Sequence, residues 1–200
     1  MRRCRGPYFN RTVLTHSIKS HWNYLLAIER DLEQISRFVE FDEKNFDCFS
    51  IEIARLFLAS AAEVDVVCKQ ICKIINPKSR ADNINMYRAD IKSAFPNIPQ
   101  IEVILPRFGL TLTPWNEWIK PDGIPLWWTA YNKIKHSRDS EYHRASLKNL
   151  LNSVAGLFIM VLHLYKDKAN RVRLSPFPQL LKLDDTHYAG FELEPLSYVL

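Results

Sequence analysis

Glycine is scarce in this chain, 5 residues of 200, and cysteine is scarcer still at 4. Little glycine leaves room for long unbroken helices, because a glycine inside a helix costs ~1 kcal/mol relative to alanine. Four cysteines, Cys4, Cys48, Cys68 and Cys72, do not make a disulfide framework in a chain of this length. Cys68 and Cys72 stand four apart in a helical pattern and share a face. No further Cys or His follows at metal-ligand spacing, so buried reduced thiols are expected, and neither a metal nor a cofactor is. A long apolar run is also lacking. The most apolar stretch, Val154 to Leu164, contains Gly156 and His163 and falls short of the ~20 residues that cross a bilayer. The basic start, Met1-Arg2-Arg3-Cys4-Arg5-Gly6-Pro7, has no apolar segment behind it, so no secretory signal is expected. These absences point to a cytoplasmic protein without a membrane partner. Neither sign of charge dominates: 27 Lys and Arg against 22 Asp and Glu leave +5. That permits a phosphate-bearing partner without requiring one. There is no internal repeat and no low-complexity tract.

What is present is the material of a packed core. Hydrophobic residues make up 47% and charged residues 24%, which suits one domain with at most a small appendage. Residues 1–16 carry little periodicity and read as an arm. From Ser17 to about Phe41, apolar residues at Leu25, Ile28, Leu32, Ile35, Phe38 and Val39 follow helical spacing. A second helix, capped by Asp47 or Ser50, runs to about Asn76 and is closed by Pro77. Its alanines, Ala54, Ala59, Ala61 and Ala62, allow a neighbouring helix close approach. A shorter helix covers Asn83 to Phe95. Six prolines then fall in 96–125, with β-friendly runs at 101–105 and 110–113. Helix resumes over 126–137 and again over 141–168. The fold class expected is therefore all-α: a bundle of four to five helices with an irregular or short β-hairpin insertion at about 96–125. The domain plan is an arm (1–16), a helical domain (17–168) and a tail (169–200) packed on the bundle, with short strands at 180–183 and 198–200.

The helix 126–137 has two unlike faces. On a wheel of ~100° per residue, Trp127, Ala130 and Ile134 form the core side. Trp128, Asn132, Lys135 and His136 fall opposite, with Tyr131 and Arg138 flanking Lys135. A plain reading is available. Lys133, Lys135, His136 and Arg138 stand in the last turn, where cations meet the negative end of the helix dipole at ~0.3–1 kcal/mol each. A sharper one is a general acid–base site. Histidine is the side chain suited to proton transfer near neutral pH, and His136 supplies one; Asn132 lies one turn before it, and Lys133, Lys135 and Arg138 supply positive charge for a phosphorane-like transition state.

The string Trp127-Trp128-Thr129-Ala130-Tyr131-Asn132-Lys133-Ile134-Lys135-His136-Ser137-Arg138, followed by the helix Ala145 to Phe158, resembles bacterial proteins of the HEPN superfamily. These are α-helical domains of toxin–antitoxin, abortive-infection and CRISPR-linked systems, with an Arg-Asn-x-x-x-His motif on a helix facing a dimer partner. Asn132 and His136 match that motif; Tyr131 stands where its Arg would be. Tyrosine cannot replace the planar, permanent charge of an arginine. By helix order the resemblance covers residues 17–168, and it is specific over 127–158. It implies a homodimer that takes RNA as partner and needs no cofactor. Asn132 and His136 would be catalytic, with Lys133, Lys135, Arg138 and Trp128 on the nucleic acid. It also implies an antitoxin or other partner protein.

Two further groups bear on that site. Glu63 lies eleven residues after Glu52, close to three turns, so either could orient His136 or pair with Lys135. The simpler expectation pairs Glu52 with Arg55 and Asp65 with Lys69. Trp115, Trp118, Trp127 and Trp128 fall within fourteen residues. Aromatics beside cations can stack RNA bases, but these more naturally pin the 96–125 excursion to the bundle, with Trp128 the one candidate for stacking. Three functions fit the residues: a metal-independent endoribonuclease, a non-catalytic helical module that binds a partner protein or nucleotide, or a helix whose motif only completes the core. Tyr131 favours the second.

Overall fold

The computed structural model describes residues 19–169 and 174–183. They hold six α-helices: α1 (Ser20–Ile35), α2 (Ile51–Ile75), α3 (Ile84–Ala94), α4 (Leu126–His136), α5 (Arg138–Glu141) and α6 (Leu147–Ala169). Three short strands accompany them: β1 (Val103–Leu105), β2 (Leu110–Leu112) and β3 (Lys182–Leu183). The arm 1–16, Cys4 and the run 198–200 lie outside the described residues.

Local chemistry sets most helix ends. The Ser50 hydroxyl accepts from the Ile53 amide at 3.2 Å and starts α2, so Ser50 rather than Asp47 is the cap. Asn83 accepts from the Asn85 and Met86 amides and starts α3. Such caps contribute ~1 kcal/mol each. α2 stops at Ile75, just ahead of Asn76 and Pro77. Two ends differ from expectation. α1 stops at Ile35 and not near Phe41: the chain turns there, leaving Phe38 84% exposed and returning Phe41 to the core against the Phe108 ring. The apolar spacing of Phe38 and Val39 continues the helical pattern by coincidence. α6 begins at Leu147, after α5 and a tight turn, and not at residue 141. Its start is fixed from outside the helix. The Leu147 and Lys148 amides, which no helix carbonyl can reach, donate to the carbonyls of Cys48 and Phe46 at 2.8 and 3.0 Å.

α6 is the central rod. Every described side chain from Leu150 to Tyr165 is buried except Asn152, which is half-buried. The window Leu147–Lys166 is long and apolar enough to cross a membrane, and 83% of it is buried inside the protein. α2 packs along it most extensively. Ala54 and Ala61 are fully buried in α2, and two buried hydroxyls meet across the pair, Ser60 to Ser153 at 2.6 Å. Each serine also lies within hydrogen-bond reach of its own helix, at the Phe57 and Leu150 carbonyls. One proton therefore bridges the helices and the other stays on a carbonyl.

The 96–125 insertion holds the expected hairpin. β1 and β2 pair antiparallel, with Val103 opposite Leu112 and Leu105 opposite Leu110. Gly109, at φ +63°, takes the left-handed turn position that side chains disfavour. Four tryptophans tie this insertion to the bundle. Trp115 stacks on Trp118 at 4.3 Å and meets Trp127 edge-on at 5.2 Å. The Trp115 indole N–H donates to the Gly156 carbonyl, and that of Trp127 to the Pro114 carbonyl. Gly156 suits the close approach: a Cβ there would stand 3.1 Å from the Trp127 ring, and the ring would have to give way by a few tenths of an ångström.

The all-α expectation describes the bundle but omits one connection. Residues 174–183 run along α1 and deliver β3 to the free edge of β1, giving the strand order β2-β1-β3. Two α1 side chains hold this strap. The Trp22 indole N–H donates to the Pro176 carbonyl at 3.1 Å. Glu29, a buried carboxylate, accepts the amides of Gln179, Leu180 and Leu181 at 2.9, 2.7 and 3.1 Å.

Two predictions follow from these contacts. Glu29→Ala leaves three backbone donors without their acceptor, at ~1–3 kcal/mol for a buried one. Denaturant unfolding should show a loss of about 3 kcal/mol, with proteolysis concentrating at 174–183; an unchanged midpoint would refute the role. The second concerns His163 in α6. Its pKa is lowered from 6.5 to about 4, chiefly by burial; the Nδ1–H bond to the Ile159 carbonyl opposes the shift and the Lys166 charge adds to it. Between those values the unfolded chain takes up a proton that the folded chain refuses. Stability should therefore fall by about 2 kcal/mol as pH drops from 7 to 4.5. His163→Leu should lack that part of the loss in paired denaturation curves.

Candidate functional site

α4 starts at Leu126 after Pro125, whose fixed φ suits a helix start, and ends at His136, where Ser137 leaves helical geometry. It lies against α2 and α6, with Tyr87 of α3 packed on its Trp128 ring. Trp127, Ala130 and Ile134 are buried, as the wheel requires. So are Trp128 and Tyr131, at 4% and 8% exposure. The apolar arc is wider than the core side read from the sequence, because neighbours cover α4 on two flanks. Asn132, Lys133, Lys135 and His136 remain exposed.

Trp128 is therefore not an open stacking platform. Its ring meets Tyr87 edge-on at 6.4 Å and Tyr131 at 5.6 Å. Tyr87 in turn donates to Asp65 of α2 at 2.8 Å, and Asp65 is paired with Lys69. The Tyr131 phenol is held above its ordinary pKa, first by burial and then by the Asp65 charge, with Lys69 opposing. It stays neutral at physiological pH and supplies none of the positive charge an arginine would.

An open groove of about 430 Å³ runs beside α4. Ile84, Ile124 and Trp128 give it apolar lining, and Asn132, Lys133 and His136 give it polar lining. Within the described residues no side-chain hydrogen bond engages Asn132, Lys133 or His136. The two residues read as catalytic thus share one cleft, with one cation next to them. The other cations of the motif turn away. The Lys135 ammonium lies 5.8 Å over the Tyr131 ring and the Arg138 guanidinium 5.4 Å over the Tyr142 ring. Each is a cation–π contact worth ~0.5–1 kcal/mol at an exposed position.

Glu63 is also elsewhere. It binds His21 Nδ1 at 2.5 Å, and His21 Nε2 meets the Gln70 amide at 2.7 Å. That cluster joins α1 to α2 and has no contact with His136. Glu52 pairs with Arg55, which also reaches Asp31, and Asp65 pairs with Lys69. Cys68 and Cys72 are buried free thiols, and burial raises the pKa of both, that of Cys72 to about 12. Among the described residues no three His, Cys, Asp or Glu side chains are placed to hold a metal.

No protein-family model, curated protein or solved structure matches the chain. The site rests on its own geometry. Sequence reasoning missed Ile84 and Ile124, the far side of the groove. Ile84 comes from a segment distant in sequence, with the Asn83 cap that places it in the first turn of α3 as its local signal, whereas Ile124 stands two residues ahead of α4.

The exposure of the polar set makes a stability prediction. Asn132→Ala and His136→Ala should each change unfolding free energy by no more than ~0.5 kcal/mol, as surface substitutions do. Trp128→Ala should cost about 3 kcal/mol or more, as loss of a buried aromatic does. Thermal unfolding of the three variants side by side checks this; a large loss in His136→Ala would make that residue structural.

Proposed function

We propose that this chain is a HEPN-like, RNA-directed protein working as a homodimer, and that the α4 groove is a metal-independent ribonuclease site. One observation carries the reading: Asn132 and His136 line the same cleft, and among the described residues neither makes a side-chain hydrogen bond. An imidazole and a carboxamide, one turn apart on a buried-backed helix, can both reach one phosphodiester. In the reaction His136 takes the proton of the attacking 2′-hydroxyl, and a water molecule protonates the leaving 5′-oxygen. The 2′-oxygen forms its bond to phosphorus as the bond to the 5′-oxygen breaks, leaving a 2′,3′-cyclic phosphate. Asn132 donates to a phosphate oxygen, and the Lys133 ammonium offsets charge on it. The link to defence systems and an antitoxin partner rests on the resemblance of residues 127–158 alone.

A second reading is favoured by the cations. Lys135 and Arg138 lie on tyrosine rings, and Tyr131 is neutral and buried. That arrangement suits a non-catalytic module whose groove takes a partner protein or nucleotide.

Incubating the purified protein with structured RNA in excess EDTA, beside His136→Ala, separates them. The ribonuclease reading expects cleavage that survives EDTA, yields cyclic-phosphate ends and falls ~10²-fold or more in the variant. No cleavage across diverse RNAs, with an intact dimer by light scattering, selects the binding module.

A further inference from the structure

Of the apolar residues lining the groove beside α4, Ile84 and Trp128 are buried and only Ile124 is half-buried. Ile124 is thus the apolar edge that meets water, together with Asn132, Lys133 and His136. Whatever fixes Ile124 fixes the width of the mouth. Resting on the RNA reading above, we propose that Arg88 of α3 is a positioning residue for this groove, holding Ile124 opposite Asn132 and His136 so that an RNA strand meets the cleft at its working width.

The hold comes from one face of a helix. Arg88 stands one turn after Ile84, so both project from the same side of α3. Its side chain is 12% exposed. Nη1 donates to the Gly123 carbonyl at 2.8 Å and to the Asn85 carboxamide oxygen at 3.0 Å, and Nη2 lies 3.5 Å from the Asp122 carboxylate. Gly123 immediately precedes Ile124. A planar fork can meet these acceptors together, which a compact ammonium does not. Lys92, one turn further along α3, donates to the Trp118 carbonyl at 2.5 Å. The two cations therefore grip successive stretches of the loop 118–123, and Arg88 grips the end that leads to α4. That end has little slack. A Cβ on Gly123 would fall 1.6 Å from the Glu117 carbonyl oxygen, and the Gly123 amide donates to the Lys120 carbonyl at 3.2 Å. A displacement at Gly123 is thus carried on to Ile124. Arg88 does not itself line the groove. Its loss is felt there because seating a substrate is sensitive to shifts of ~1 Å.

The test pairs hydrogen exchange with RNA binding, on the full chain in EDTA. Arg88→Met keeps the stem of the side chain and removes the fork. Amides in 118–125 should exchange about tenfold faster than in the wild type, and a labelled single-stranded RNA should bind about tenfold more weakly by fluorescence anisotropy. Arg88→Lys keeps a charged donor for the Gly123 carbonyl and should recover most of both. The slope of log affinity against log salt should stay the same in each variant, because a positioning residue releases no counterions; a residue on a phosphate would lower it by about 0.7. If circular dichroism finds Arg88→Met unfolded, Arg88→Gln takes its place. Unchanged exchange, or faster exchange with unchanged affinity, would overturn the positioning role and leave the RNA reading standing. A shallower salt slope would make Arg88 a phosphate contact and overturn the role as well. No RNA binding by the wild type would overturn both.

Discussion

Along the middle of the protein, α6 gives almost nothing to water. Its side chains from Leu150 to Tyr165 are buried apart from half-buried Asn152, and every other described element either touches it or is held by something that does. Its contact with α2 is the most extensive in the bundle, and small residues favour it. Ala54 and Ala61 let the two backbones approach, and the Ser60–Ser153 hydroxyl bridge satisfies the polar atoms that the approach buries. Once this pair is set, α1 lies along one side and α3 and α4 occupy the other.

Gly156 extends the same logic toward the functional surface. With no Cβ there, the Trp115 and Trp127 rings press onto the α6 backbone, and Trp115 donates to the Gly156 carbonyl. That contact draws in the 96–125 insertion and the start of α4 together. α4 is then held through Trp127, Trp128, Ala130 and Ile134. A helix so anchored presents Asn132, Lys133 and His136 in a fixed orientation without any of them contributing to the fold. The site's geometry is thus a consequence of tryptophan and glycine packing some distance from the polar atoms.

The strap of residues 174–183 shows how a polar group can govern an apolar fold. A buried carboxylate is costly unless its lone pairs are used. Glu29 uses them on three consecutive amides of the strap. The sequence around Glu29 looks like an ordinary amphipathic helix, and nothing local marks this one glutamate as different from Glu33, which reaches Arg107 on the surface. The partner lies about 150 residues away, as the Leu180 to Glu29 bond shows. In the same way Glu63, read as possible support for His136, is taken by His21.

Periodicity, caps and proline stops by themselves determined the order of the long helices, the hairpin in the insertion and the Trp127, Ala130 and Ile134 side of α4, because each depends on contacts a few residues apart. Ser50 and Asn83 mark their boundaries through bonds to their own neighbours, and Pro77 through the steric limit it sets on the residue before it. The tertiary structure alone decided which polar residues meet. It buried Trp128, paired Glu63 with His21, laid Lys135 and Arg138 on tyrosine rings, and built the groove from Ile84 and Ile124 opposite Asn132 and His136. Those outcomes depend on which flank of a helix its neighbours cover, and that is set by the packing of α2, α3 and α6 around it. No spacing within a single helix carries that information.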